Sequence, residues 1–79
     1  MKETIVFVER RNDGMVELAR FDGTWHGKKG LVEAIQEELV DSGIDITTTP
    51  LETVAQMWRG SYSGARVFRD EPIPVIPQA

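Results

Sequence analysis

The chain contains no cysteine. That absence excludes a disulfide framework, a thiolate metal site and a cysteine nucleophile. Histidine occurs once, at His26, so no pair of imidazoles is available to hold a metal. No metal and no cofactor are expected. No apolar run approaches the ~20 residues that a membrane-spanning helix needs. Met1-Lys2-Glu3-Thr4 leads directly into a short strand-like run, with no long apolar segment or small-residue cleavage site behind it. A cytoplasmic protein with no membrane contact is the expectation. Basic character is also missing: 9 Lys and Arg face 13 Asp and Glu, for a net charge of −4 and a pI near 4.8. Domains that read duplex DNA are usually basic on one face, so direct nucleic-acid binding is not expected.

What remains is the composition of a folded domain, with 41% apolar and 28% charged residues. A chain of 79 residues makes one domain near the lower limit for independent folding. At that size only ~60% of the unfolded surface is buried, so stability is modest and association helps. The expected state is a monomer or a homodimer.

Local patterns place the elements. Thr4-Ile5-Val6-Phe7-Val8 is β-branched and aromatic on both faces, as in a central strand. Arg11-Asn12-Asp13-Gly14 supplies the residues that tolerate the positive φ of tight turns, and Met15 to Phe21 follows as a second strand of a hairpin. Asp22-Gly23 is a further turn, and Thr24-Trp25-His26 completes a meander. A helix is predicted from Leu31 to about Ser42, ended by Gly43 in the left-handed conformation. Ile44 to Thr48 reads as a short strand or extended linker. Thr49-Pro50 starts a second helix, with Thr49 capping, Pro50 at the first helical position and Glu52 completing a capping box. Gly60 ends it, Ser61 to Gly64 turn, and Ala65 to Arg69 form a last strand.

These elements predict an α+β domain over residues 1–71. An N-terminal hairpin or meander and a C-terminal strand make an antiparallel sheet, with both helices packed on one face. Phe7, Leu18, Ile35, Leu39, Val54 and Trp58 are the predicted core. Residues 72–79 form a proline-rich extended tail, because its prolines remove ladder donors. Its Pro74-Val75-Ile76-Pro77 is formally a PxxP, with no adjacent basic residue to fix its orientation on a proline-reading domain. Ile73, Val75 and Ile76 are expected to pack along the domain or to reach a second subunit.

Catalytic equipment is sparse. His26 stands in a Gly-rich stretch as a solvent-facing residue at a strand end. Gly60-Ser61-Tyr62-Ser63-Gly64 places Tyr where a nucleophile elbow needs Ser. Gly27-Lys28-Lys29-Gly30 precedes a helix, but it is too short for a phosphate-binding P-loop. It reads as a solvated loop in which Lys29 pairs with Glu33. A non-enzymatic protein is expected.

The first helix carries the one unusual pattern. Leu31, Val32, Ile35 and Leu39 recur at helical spacing as a buried stripe. Glu33, Glu37 and Asp41 stand four apart on another face, joined at the margin by Glu38. Like charges at that spacing repel, so stability alone would not select them. The row reads as a docking surface for a protein partner with a basic surface, such as one that normally holds nucleic acid. The alternative is a small nucleic-acid-binding or regulatory domain. It would use Arg10, Arg11, Arg20, Arg59, Arg66 and Arg69 with Trp25, Trp58, Tyr62 and Phe68 as stacking aromatics. In size, acidity and lack of motifs the chain is similar in style to small phage or mobile-element proteins that inhibit host machinery, including the anti-CRISPR type. No motif carries that likeness, so it assigns no residue a role.

Overall fold

The computed structural model describes residues 2–79 as a four-stranded antiparallel sheet with two helices. The elements are β1 (Glu3–Arg11), β2 (Gly14–Phe21), β3 (Trp25–Gly27), α1 (Lys29–Asp41), α2 (Leu51–Met57) and β4 (Ser63–Arg69). The sheet order is β3-β2-β1-β4, so the most apolar strand is central, as its two-sided pattern requires. Asn12 and Asp13 close the first hairpin, and of its turn residues only Gly14 takes a positive φ. Gly27 ends β3 at φ 141°, and a Cβ there would lie 3.2 Å from the Ala19 Cα. Only glycine meets both demands.

Both helices cover one face of this sheet. Ile5 and Phe7 of β1, Ala19 and Phe21 of β2, Ile35 and Leu39 of α1, and Val54 and Ala55 of α2 form one buried cluster. Phe7 is the centre: its ring meets Trp25 at 5.7 Å and Trp58 edge-on at 5.1 Å. Leu18 and Trp58 pack against the cluster while remaining half-buried.

A β-bulge decides which residues of β2 face the helices. Phe7 pairs with Ala19, but Val8 pairs with Glu17, so Leu18 is the extra residue. Strict alternation from Phe21 and Ala19 would have pushed the Glu17 carboxylate into the apolar cluster. The bulge turns Glu17 onto the opposite face and leaves Leu18 beside the core. There Glu17, only 3% exposed, receives a two-pronged ion pair from Arg20, with the Arg20 Nε donating at 2.9 Å. Strand residues three apart ordinarily point to opposite faces. Here the bulge lets them meet.

That opposite face carries no helix, yet Thr4, Val6 and Phe68 are buried on it. The tail covers it. After β4 the chain turns at Asp70, whose φ of 51° is left-handed, and whose Oδ1 accepts the Lys2 N–H at 2.8 Å. Ile73 settles near Thr4 and Phe68. The chain then crosses β1 toward the outer edge of β2, because its end pairs there. The Glu17 N–H donates to the Pro77 carbonyl at 2.7 Å, and the Ala79 N–H donates to the Glu17 carbonyl at 3.0 Å. β3 is short and pairs only with Ala19 to Phe21, which leaves the β2 edge at Glu17 open to receive the tail. Ile73 and Ile76 are half-buried; Val75, expected to pack with them, is fully exposed.

Three local expectations are corrected. Helix α1 begins at Lys29, inside the stretch read as a loop, with Lys28 as its cap. Ile44 to Thr48 forms no strand, and Ile46 to Thr48 turn. The Asp45 Oδ1 accepts from the Thr47 N–H at 3.0 Å and from its hydroxyl at 2.6 Å, and this local closure outcompetes an extended strand. The capping box is absent: Pro50 is itself the cap of α2, no side chain caps it, and the helix ends at Met57, before Gly60. Gly43 does end α1 as predicted, at φ 72°. The Ile44 N–H reaches the Leu39 carbonyl and the Gly43 N–H reaches that of Val40, the paired bonds of a Schellman stop.

Candidate functional site

The outer face of α1 is built by the register of its buried stripe. Ile35 and Leu39 point into the cluster, with Leu31 and Val32 half-buried beside them. Glu33, Glu37, Glu38 and Asp41 are all exposed. Glu33, Glu37 and Asp41 share the face turned away from the sheet. Glu38 is turned aside toward a cleft that it lines with Leu18, Trp58 and Tyr62. The structure thus brings three of the four acids together and separates the fourth.

The charge along α1 runs against its dipole. No acid occupies the first turn and no base the last; Lys28 and Lys29 stand at the positive end, Glu37, Glu38 and Asp41 near the negative end. Each is the less favourable placement. Glu33 has a weak partner in Lys29, at 4.0 Å and 91% exposed. Several acids elsewhere are matched. Arg69 meets Glu3 at 3.5 Å and Glu52 at 3.0 Å, Arg11 meets Glu9 at 2.9 Å, and Arg20 holds Glu17. Four acids against one lysine give α1 a net charge of −3, out of −4 for the whole chain.

An apolar patch adjoins this acidic face. Val40, 74% exposed, flanks the acidic row on the side of Gln36. Beside it, Trp25, Gln36, Leu39, Gly43 and Ile46 line a shallow groove. The sequence pattern placed Val40 outside the buried stripe, but the groove needs Trp25 of β3 and Ile46 of the Asp45 turn, which come together only in the fold.

A second polar cluster lies outside the residues that the sequence pattern singles out. Asp22, Thr24 and His26 alternate through the β2–β3 turn, so their side chains fall on one side. The His26 Nε2 lies 3.1 Å from the Asp22 Oδ1 and 3.0 Å from the Thr24 hydroxyl, which donates to the same carboxylate oxygen at 3.1 Å. The hydrogen bond from His26 and that from the Thr24 N–H hold the Asp22 carboxyl down at about 2. A nucleophile relay needs the two imidazole nitrogens to face different partners. Here both contacts fall on Nε2, and the arrangement closes the turn. The signal was available as the i, i+2, i+4 spacing of the three polar residues.

The alternative set of arginines and aromatics does not assemble into one platform. Phe68 is buried under the tail with Arg66 5.2 Å from its ring, Trp25 and Trp58 pack on Phe7, and Tyr62 is exposed apart from them. Among the described residues no group of three or more His, Asp or Glu could hold a metal ion, and no helix is long and apolar enough to cross a membrane. No protein-family model matches the chain, and neither a characterised protein nor a solved structure matches it.

Proposed function

We propose that this protein acts by binding, without catalysis, to a protein partner through a basic surface of that partner, and blocks or modulates it there. The observation that carries this reading is the concentration of the chain's negative charge on the outer face of α1, set against the helix dipole and next to exposed Val40. Such a surface combines what a docking site uses: a small apolar centre and a charged rim that steers association. A row of carboxylates on a rigid helix also presents charge at regular spacing, as a nucleic-acid backbone does. A partner surface that normally holds nucleic acid is therefore the kind it fits, in the manner of small phage or mobile-element inhibitors.

Reversal of charge at Glu33, Glu37 and Asp41 together tests it. The variant is expected to fold as wild type does, because all three are exposed. Capture from the native host, with mass spectrometry, is expected to recover a basic protein with wild type and to lose it with the variant. Reversal at Asp13 and Glu71, exposed and remote from α1, serves as the control. A partner held equally by all three proteins would overturn the reading. Direct binding to RNA or DNA with a steep salt dependence would replace it with the nucleic-acid alternative.

A further inference from the structure

On the helix-free face of the sheet the tail lies over Thr4 and Phe68, with the Arg66 guanidinium against the Phe68 ring. Val6, at 1% exposed, and Phe68, at 5%, sit outside the helix-side cluster. Across the sheet from Phe68, beyond β1, runs the stretch of β2 edge that β3 leaves unpaired, with the Glu17 N–H and carbonyl pointing outward to the tail. An open strand edge beside an apolar face is the ordinary geometry for accepting an extended peptide. The tail has the matching chemistry: prolines that keep it extended, two half-buried isoleucines and a pair of backbone hydrogen bonds to one residue. Its hold is local. No proline nitrogen can donate, so the tail cannot zip up as a full strand. The turn at Asp70 marks where it leaves the sheet, and none of the core cluster lies beyond that point.

We infer that this face is a groove for an extended, proline- and isoleucine-rich peptide. The chain's own tail fills it in cis, and the same segment of a second copy is the occupant that replaces it when the tail detaches. The groove's shape and edge are already fitted to this sequence, and a second copy carries that sequence unchanged. In cis the short connection keeps the tail at high effective concentration, so wild type holds its own tail at ordinary concentrations.

The test uses the full chain and a synthetic peptide of residues 71–79. A variant with Ile73→Ser and Ile76→Ser, which weakens the resident tail but leaves the helix-side core intact, is expected to bind the peptide at least tenfold more tightly than wild type. On binding, the Glu17 amide is expected to regain its protection from hydrogen exchange. A folded variant that binds the peptide no better than wild type overturns the inference. Should the variant fail to fold, exchange in wild type decides. Glu17 and Ala79 amides that exchange at least a hundredfold faster than that of Phe7 show a tail that detaches from a folded domain. Exchange as slow as that of Phe7 shows a tail that is a permanent part of the core and overturns the inference.

Discussion

On one side of the sheet two helices press Ile5, Phe7, Ala19 and Phe21 into a continuous apolar cluster; on the other a proline-rich tail lies over Thr4 and Phe68, on the same face as buried Val6 and the ion pair of Glu17 with Arg20. The helical side is built by periodicity. Stripes at 3.6 and 2.0 residues face each other, and burial there is a property of whole elements. The tail side is built by exceptions: one bulge, one left-handed aspartate and two backbone bonds to a single residue. The difference teaches where this small domain is robust and where it is adjustable. Burial on the helical side is shared by a packed cluster, whereas the opposite face depends on a few discrete contacts.

The comparison can be broken most directly at Phe7. Its ring touches both tryptophans, and Phe7→Ala is expected to cost ~3–5 kcal/mol in urea unfolding, enough to unfold most of a domain of marginal stability. A loss below ~1 kcal/mol would mean that the helical side is not the main core. Arg20 sharpens the other half. Arg20→Ala leaves the buried Glu17 carboxylate without its cation. Because Arg20 is partly exposed and water can reach the site, the expected cost is ~1–3 kcal/mol. Adding Glu17→Gln to Arg20→Ala should recover part of that loss, since an amide has no charge to strand. A double variant no more stable than Arg20→Ala alone would show that the pair is not what steadies this face.

The smallest effect lies at the β2–β3 turn, outside both faces. Asp22 has its folded-state pKa lowered to about 2 from an ordinary 3.8. A depressed carboxylate contributes stability above its unfolded value and loses it as pH falls through the folded one. Melting temperature should therefore fall more steeply with acid for wild type than for Asp22→Asn between about pH 4 and pH 2. Parallel curves would show that the Asp22–Thr24–His26 closure does not contribute to stability.

The residues alone determined much of this protein. The β-branched run of β1, the Asn-Asp-Gly hairpin, the apolar stripe of α1 and its stop at Gly43 were legible because each rests on neighbours within a turn or a strand pair. The acidic row was legible for the same reason, since spacing of four on a helix means one face. Only the tertiary structure decided the rest. Helix α2 is shorter than its local signals predict, because Trp58 leaves the helix at ψ 76° and packs on Phe7, and Thr49 does not cap it, because Pro50 takes the cap position. No local pattern announces that Leu18 is an extra residue, because a bulge is set by the strand opposite. The path of the tail was equally hidden. Glu17 and Ala79 meet from distant parts of the chain, through an edge that exists only because β3 stops short. Local periodicity selects which elements form and which side of each is apolar; the completed sheet decides which edges stay open and what closes them.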